Sequence, residues 1–191
     1  MSAIETIRAA RLVAILRRAA EADAEVARLA VAGVRVVEIT LDSDDALGAI
    51  ERARRRGDVT VLAGTVREPA QVDAAVSAGA EGIVAPSLSL AVLERAAALG
   101  APSIPGALTP TEVETAWRAG AALVKLFPAR LGGPRYVQNV LAPLTDVPLV
   151  ATGGVDATNA RAFLDAGAVA VGVGSGLGSD DALRRLLDAV R

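Results

Sequence analysis

Lys125 is the residue that most directly suggests covalent chemistry, because it is the one lysine in the chain. The chain has 20 basic residues, and all of the others are arginine. Arginine keeps its charge in proteins, whereas a desolvated lysine gives up its proton more readily and becomes a free amine. Lys125 stands in an apolar run between Leu123 and Phe127. If its side chain points into a protein interior, the amine could attack a ketone and form a Schiff base. An outward lysine paired with a helix carboxylate is the alternative.

Glu38 has the same kind of setting, in the run Val36–Thr40. A lone carboxylate in an apolar strand is costly to bury unless it has a partner. Lys125 is that partner if both side chains face one interior. A carboxylate beside an amine can move protons during carbinolamine formation and at the α-carbon. A structural ion pair with an arginine is the alternative for Glu38.

Glycine-rich segments suggest a second activity, the binding of phosphate. Gly153 and Gly154 follow one apolar run, and Gly174 and Ser175 follow the next. Backbone N–H groups in such loops can approach an anion closely, since glycine carries no side chain. Two tight turns without a ligand are the alternative.

Other polar groups end the remaining apolar runs. Arg17, followed by Arg18, could hold a carboxylate or a phosphate, and the Thr65 hydroxyl could bind a substrate carboxylate. Pro86 and Thr152 also lie at run ends and are expected to contact substrate. If the runs are parallel strands, all these groups converge on one rim.

The apolar runs predict buried parallel strands, because they are nearly continuous rather than alternating. Amphipathic segments between them predict helices at about 22–32, 44–56, 68–78, 89–99, 110–119, 134–143, 156–166 and 179–190. The predicted strands are Leu12–Leu16, Val36–Leu41, Val59–Val66, Gly82–Pro86, Ser103–Leu108, Leu123–Phe127, Pro148–Thr152 and Ala170–Gly174.

Eight strand–helix units at a spacing of about 20 to 25 residues predict an α/β protein with a (β/α)₈ TIM barrel. We expect residues 1–191 to form one domain of near-minimal length. An open doubly wound sheet is the alternative, but no G-x-G-x-x-G fingerprint is found. Function in a barrel lies at the carboxyl ends of the strands, which is where the polar groups converge.

Composition excludes several function classes. The chain has no cysteine and no histidine, which removes disulfides, thiol nucleophiles, imidazole catalysis and the usual zinc ligands. A metal held only by carboxylates is left open. The net charge of −2 does not favour nucleic acid or an anionic membrane as a partner. With no signal peptide or membrane span in the pattern, we expect a cytoplasmic protein.

The order and spacing of these motifs resemble the class I aldolases of the KDPG/KDPGal family, over about residues 12–178. The matching segments include Val37–Leu41, Ala63–Val66, Val124–Ala129 and Thr152–Val155. Members cleave 2-keto-3-deoxy-6-phospho sugar acids reversibly to pyruvate and glyceraldehyde 3-phosphate. The resemblance implies a barrel, usually a homotrimer, that needs no metal or other cofactor.

The resemblance also implies roles for individual residues. Lys125 would form the Schiff base, Glu38 would be the acid–base residue and Phe127 would pack beside the imine. Thr65 would hold the carboxylate, and Gly154, Gly174 and Ser175 would hold the phosphate.

The chain departs from the family pattern in two places. At the end of the fourth strand, Ala85–Ser87 replaces the common Ser-Pro-Gly. Many KDPG aldolases carry an anion-binding arginine where this chain has Asp42, which would repel an anion. Arg17 at the end of the first strand matches the galactonate branch. These points favour KDPGal or a broader 2-keto acid aldolase, such as a 4-hydroxy-2-oxoglutarate aldolase, over KDPG itself. A non-aldolase phosphate-binding barrel, or a barrel that binds sugar phosphates without turnover, is the remaining alternative.

Overall fold

The fold is described by a computed structural model covering residues 1–17 and 22–191, so Arg18 lies outside the described residues. Strands and helices alternate along the chain. The strands are β1 Leu12–Leu16, β2 Val36–Thr40, β3 Thr60–Gly64, β4 Ile83–Val84, β5 Ser103–Ile104, β6 Gly106–Ala107, β7 Val124–Leu126, β8 Leu149–Thr152 and β9 Ala170–Val173. The helices are α1 Ala3–Ala10, α2 Ala22–Ala32, α3 Ala46–Arg56, α4 Pro69–Ser77, α5 Leu90–Ala98, α6 Pro110–Arg118, α7 Gly133–Leu141, α8 Ala160–Asp165 and α9 Asp180–Val190.

All strand pairs are parallel, in the order β5-β4-β3-β2-β1-β9-β8-β7-β6. The two ends of this order, β5 and β6, are separated along the chain by Pro105 alone. Proline has no N–H for a ladder bond, which accounts for the break. Counted together, β5 and β6 are the predicted fifth strand, so the sheet closes into the predicted (β/α)₈ barrel.

The helices form an outer layer, and the main apolar core lies between them and the sheet. Local sequence signals set several helix starts. Thr109 and Glu112 form a reciprocal capping box around Pro110 at the start of α6. Among the described residues, no helix is both long enough and apolar enough to cross a lipid bilayer.

A second apolar core fills the barrel interior at the amino ends of the strands. It includes Val36, Leu123 and Ala170, and it continues to the apolar residues that surround Lys125 and Glu38. Ile7 of α1 packs into this cluster and is completely buried. Helix α1, which the strand–helix pattern did not predict, therefore closes the amino-terminal end of the barrel.

The predicted helix at 156–166 begins later than expected, at Ala160. Asp156 instead organises a turn, in which its carboxylate accepts hydrogen bonds from the backbone N–H and hydroxyl of Thr158. The Asn159 side chain accepts from the Asp156 N–H. These side-chain bonds compete with helix formation, as aspartate and asparagine commonly do before a helix.

Candidate active site

Lys125 and Glu38 meet inside the barrel, on strands that lie on opposite sides of it. Lys125 lies in the middle of β7 and Glu38 in the middle of β2. The lysine Nζ is 3.5 Å from Glu38 Oε1, and their side chains are only 6% and 3% exposed. Both therefore face one interior, and Lys125 is not the outward, helix-paired lysine of the alternative interpretation.

The surroundings of this pair are apolar. The same small space is lined by Val13, Leu62, Val84, Ile104 and Val150. Within the described residues, each charge has the other as its one side-chain hydrogen-bond partner. Such a pair depends on its partner far more than a surface pair does, because little water screens it.

Gly64 makes room for the Glu38 carboxylate. It lies directly opposite Thr40 in the β2–β3 register. A Cβ at this position would be 2.2 Å from Glu38 Oε1 and 2.6 Å from its Cγ. Any side chain on Gly64 would displace the carboxylate, so the position of Glu38 depends on this glycine.

Gly172 does the same for Thr152, which is buried at the end of β8. A Cβ on Gly172 would be 2.4 Å from Thr152 Oγ1. That hydroxyl donates to the Val150 carbonyl at 3.4 Å and lines the interior beside Lys125. Thr152 therefore shares an interior space with Lys125, and its contact with substrate stays a prediction.

Phe127 connects the interior to the rim. Lys125 Nζ lies 5.6 Å from the centroid of its ring, a distance at which the ring face attracts a cation. The ring also lies against Gly153, where a Cβ would come within 3.0 Å of Phe127 Cε2. The half-buried Phe127 therefore stands between the amine and the glycine loop after β8.

The two predicted phosphate loops lie side by side at the rim. A Cβ on Gly176 would be 3.0 Å from the Val155 carbonyl oxygen, so the loops after β8 and β9 pack together. Gly153 and Gly154 have φ of +92° and +80°, a conformation that favours glycine. In the described part of the chain, the N–H groups of Gly153, Gly154 and Gly174 donate to no protein acceptor. These donors are available to an anion.

Arg17 lines an open cleft together with Gly174 and Ser175. Its guanidinium Nη1 is 3.4 Å from Asp42 Oδ2, and both side chains are about half exposed. The Ser43 hydroxyl donates to the Arg17 carbonyl, and Thr40 Oγ1 donates to the neighbouring Leu16 carbonyl. Asp42 is therefore a partner of Arg17 as well as a negative charge at the rim.

Arg28 lines the outer part of the same cleft but is already engaged. It donates two hydrogen bonds to Glu25, at 2.9 and 2.7 Å, and one to Asp180 at 2.7 Å. The hydrogen bonds to Glu25, and then the one to Asp180, raise the pKa of this guanidinium above its ordinary value. Arg28 joins α2 to the start of α9, which leaves Arg17 as the cleft's more accessible arginine.

Thr65 and Pro86 lie on the other side of the rim, each half-buried. Thr65 has a φ of +58°, which is uncommon for a residue with a branched side chain and recurs at functional sites. Gly106 lies against Pro86, since a Cβ there would be 2.2 Å from the Pro86 carbonyl oxygen. Both residues are at the rim, as predicted.

Asp156 lies in the loop after β8, beside the free N–H groups. The hydroxyl and then the N–H of Thr158 lower the pKa of its carboxyl below the ordinary value. The carboxylate thus faces its own turn. Within residues 1–17 and 22–191, no group of three or more acidic side chains is placed to hold a metal ion.

Sequence reasoning missed one rim residue, Arg130. It lies in a short 3-10 turn, Ala129–Leu131, that follows β7. Its N–H donates to the Gly153 carbonyl at 3.0 Å, and its side chain covers Gly154. The only sequence signal was its place five residues after Lys125, which says nothing about a loop more than twenty residues further on.

The barrel and the interior lysine–glutamate pair together provide an amine and an acid–base group, which are the groups that a barrel enzyme with Schiff-base chemistry requires. A sequence model of the family described as "KDPG and KHG aldolase" matches residues 3–188. The chain therefore belongs to the KDPG and KHG aldolase family. This confirms the predicted enzyme class, a carbon–carbon lyase.

Individual relatives agree with the family. The chain is 40% identical over 173 residues to the 2-dehydro-3-deoxy-6-phosphogalactonate aldolase of Escherichia coli K12, covering 87% of this chain and 83% of the relative. A solved structure described as "Native KDPGal structure" is 35% identical, with a TM-score of 0.86 and 93% of each chain covered. The KDPG aldolase of Zymomonas mobilis ZM4 with 3-phosphoglycerate is 28% identical, with a TM-score of 0.85, covering 98% of this chain and 94% of that one.

Proposed function

We propose that Lys125 is the Schiff-base nucleophile of an aldolase that cleaves a 2-keto-3-deoxy-6-phospho sugar acid to pyruvate and glyceraldehyde 3-phosphate. The observation that carries this proposal is the buried contact of 3.5 Å between Lys125 Nζ and Glu38 Oε1. A proton passed from the ammonium to the carboxylate leaves a neutral amine and a neutral acid. Glu38 is near enough to accept that proton directly, and the amine is then free to attack a ketone.

The reaction then follows from the pair. The Lys125 amine adds to the C2 ketone, and Glu38 gives a proton to the carbinolamine oxygen, which leaves as water. The protonated imine accepts the electron pair of the C3–C4 bond as that bond breaks. The C4 hydroxyl loses its proton and becomes the aldehyde. The resulting enamine takes a proton at C3, and water releases pyruvate from Lys125. Glu38 is the group near enough to move these protons.

The rim residues hold the two ends of the substrate. Thr65 binds the carboxylate end, and Thr152, Phe127 and Pro86 line the path from Lys125 to the rim. The free N–H groups near Gly153, Gly154 and Gly174 bind the phosphate, with Ser175 beside them. Arg17 lines the cleft with Gly174 and Ser175, which favours the phosphate end for Arg17 over the carboxylate end.

The galactonate-type sugar acid is the proposed preferred substrate. The 40% identical Escherichia coli relative carries that name, and Arg17 stands where the galactonate branch has its arginine. 4-Hydroxy-2-oxoglutarate, which lacks a phosphate, is the second candidate, because the family description includes KHG aldolases. Comparing kcat/KM for the galactonate, the gluconate and 4-hydroxy-2-oxoglutarate decides between them. A clear preference for the unphosphorylated acid would overturn the phosphate assignment.

Three further properties belong to this proposal. The reaction needs no metal, since the Lys125 imine supplies the electron sink, so full activity is expected in EDTA. The enzyme is a homotrimer, so light scattering should give about three times the 19.3 kDa chain mass. It works in the cytoplasm, where phosphorylated sugar acids are retained, and cell fractionation tests this.

Trapping of the imine is the first experiment. The protein is incubated with pyruvate and borohydride, and the modified residue is located by mass spectrometry. Because the chain has one lysine, the N-terminus is the only competing primary amine. A reduced adduct on Lys125, lost in Lys125→Arg, is expected. A protein that cleaves the sugar acid without any adduct on Lys125 would contradict the mechanism.

A further inference from the structure

We propose that Arg130 is a phosphate-recognition residue of this enzyme, one that selects phosphorylated over unphosphorylated aldehydes. The inference rests on the proposed function, since it concerns the far end of the same substrate. It begins from the contact between Arg130 and Gly154. A Cβ on Gly154 would lie 2.5 Å from Cβ and 3.0 Å from Cδ of Arg130. The aliphatic part of the arginine therefore lies directly on the glycine whose N–H is free.

The path from the catalytic lysine leads to this place. Lys125 Nζ lies near the Phe127 ring, and that ring lies against Gly153. Gly154 follows Gly153 in the loop, and it lies against Arg130, which is three residues after Phe127. Phe127 and Arg130 thus lie against consecutive residues of one loop, Gly153 and Gly154, so a substrate that is bound to Lys125 and extends past Phe127 would point toward Arg130.

Arg130 is held at its backbone and exposed at its side chain. Its N–H donates to the Gly153 carbonyl at 3.0 Å, which fixes the 3-10 turn to the glycine loop. The side chain is exposed. Two other arginines near the rim have acidic partners, Arg17 with Asp42 and Arg28 with Glu25 and Asp180. Within the described part of the chain, Arg130 forms no ion pair, so its charge is available to a ligand.

The chemistry of the two groups is complementary. The backbone N–H groups of Gly153 and Gly154 can each donate one hydrogen bond to a phosphate, whereas a guanidinium can donate two in parallel. A phosphomonoester gains from Arg130, and an aldehyde without phosphate gains nothing.

The test compares Arg130→Gln with the wild-type enzyme in the synthetic direction, using pyruvate with glyceraldehyde 3-phosphate or with glyceraldehyde. We expect KM for the phosphorylated aldehyde to rise about tenfold, with KM for glyceraldehyde and for pyruvate unchanged. Arg130→Lys should recover part of the loss, because lysine keeps the charge but not the paired donors. Arg185→Gln, an exposed arginine on α9, removes the same charge elsewhere and should leave both substrates unaffected.

A binding measurement separates failure of this inference from failure of the proposed function. Glycerol 3-phosphate, a phosphomonoester that cannot form an aldol, is titrated calorimetrically into wild-type protein and Arg130→Gln. A roughly tenfold weaker binding to the variant supports the role of Arg130 even if the sugar acid is not the substrate. Equal binding, or an equal rise in KM for both aldehydes, would overturn it. Loss of pyruvate trapping on Lys125 in wild-type protein would instead count against the proposed function.

Discussion

The two halves of the barrel interior are equally buried but built from different side chains. The amino-terminal half is filled with aliphatic groups, and Ile7 of α1 completes it. The carboxyl-terminal half holds Glu38, Lys125 and Thr152, all of which are buried. Gly64 lies beside Glu38 and Gly172 beside Thr152, so no side chain occupies the space next to these two polar groups.

The difference shows how one closed sheet serves stability and chemistry at once. Aliphatic packing at one end supplies burial, which stabilises the barrel by its apolar area. At the other end, missing side chains leave room for two charged groups that depend on each other. The chemistry of the carboxyl-terminal half therefore depends on the space beside Gly64 and Gly172 as much as on the polar residues themselves.

Of the variants considered, Lys125→Met should have the largest effect on the carboxyl-terminal half of the interior. We expect aldolase activity to fall by at least about 10⁴-fold, since no other group in the interior can form an imine. The free energy of unfolding should also fall by about 3 kcal/mol, because Glu38 loses its partner. Urea titration of the variant measures this. In the double variant Lys125→Met/Glu38→Leu, which has no buried charge, most of the stability should return while activity stays absent. A single variant as stable as the wild type would show that the pair is not coupled.

Gly64→Ala tests the role of the empty volume. The added methyl would meet the Glu38 carboxylate at 2.2 Å, so Glu38 must move. A displacement of about 1 Å of a catalytic group lowers kcat by roughly 100-fold. Ala63→Gly is the matched control, because Ala63 faces the outer core. It should lose about 1 kcal/mol of stability and keep kcat. Equal kcat in Gly64→Ala and wild type would refute the dependence of Glu38 on this glycine.

Ile7→Ala tests the contribution of the amino-terminal half of the interior to stability. Ile7 is fully buried, so the truncation should lower the free energy of unfolding by about 3 kcal/mol. KM and kcat of the folded fraction should not change, since Ile7 is remote from Lys125 along the barrel axis. Ile4→Ala, a partly buried neighbour on the same helix, should cost less. A change in KM as large as the change in stability would mean that the two halves are not independent.

Asp42→Asn sharpens the comparison at the rim, where charges are exposed and weakly coupled. Removing the carboxylate frees Arg17 and lowers the repulsion of an anionic substrate. We expect KM for the phosphorylated sugar acid to fall about threefold, the size typical of an exposed pair. Asp44→Asn removes the same charge two residues away, and Asp44 forms no ion pair among the described residues. It should have a smaller effect, and equal effects would assign the change to net charge alone.

Most of the fold followed from the sequence, since buried parallel strands are apolar runs and their spacing counts them. The strand bounds agree best where β-branched residues continue, as in β1 and β2. They agree least near Pro105, because a proline interrupts pairing without changing the hydrophobic pattern. Helix α1 was missed because eight residues with two isoleucines give little periodic signal. Helix α1 is stabilised by its contact with the barrel interior, and the local sequence alone does not predict that contact.

The placement of Lys125 and Glu38 could be predicted because a lone charge in an apolar strand is conspicuous. Their contact across the barrel could only be hypothesised, since β2 and β7 are not neighbours in the sheet. Arg130 could not be found, because an exposed arginine in a turn resembles any surface residue. Its contact with Gly154 is a tertiary fact. The link between Asp42 and Arg17 was missed for the same reason.

Because α1 closes the amino-terminal end of the barrel, it affects the order in which substrates bind and products leave. With the amino-terminal end sealed by Ile7 and its neighbours, molecules reach Lys125 through the carboxyl end. In the proposed reaction the aldehyde fragment lies between the pyruvate enamine and that entrance. The aldehyde must therefore depart before pyruvate, and in synthesis pyruvate must arrive first. Pyruvate should then inhibit cleavage competitively with the sugar acid, while the aldehyde inhibits noncompetitively, so that a helix remote from the reacting atoms sets the kinetic sequence.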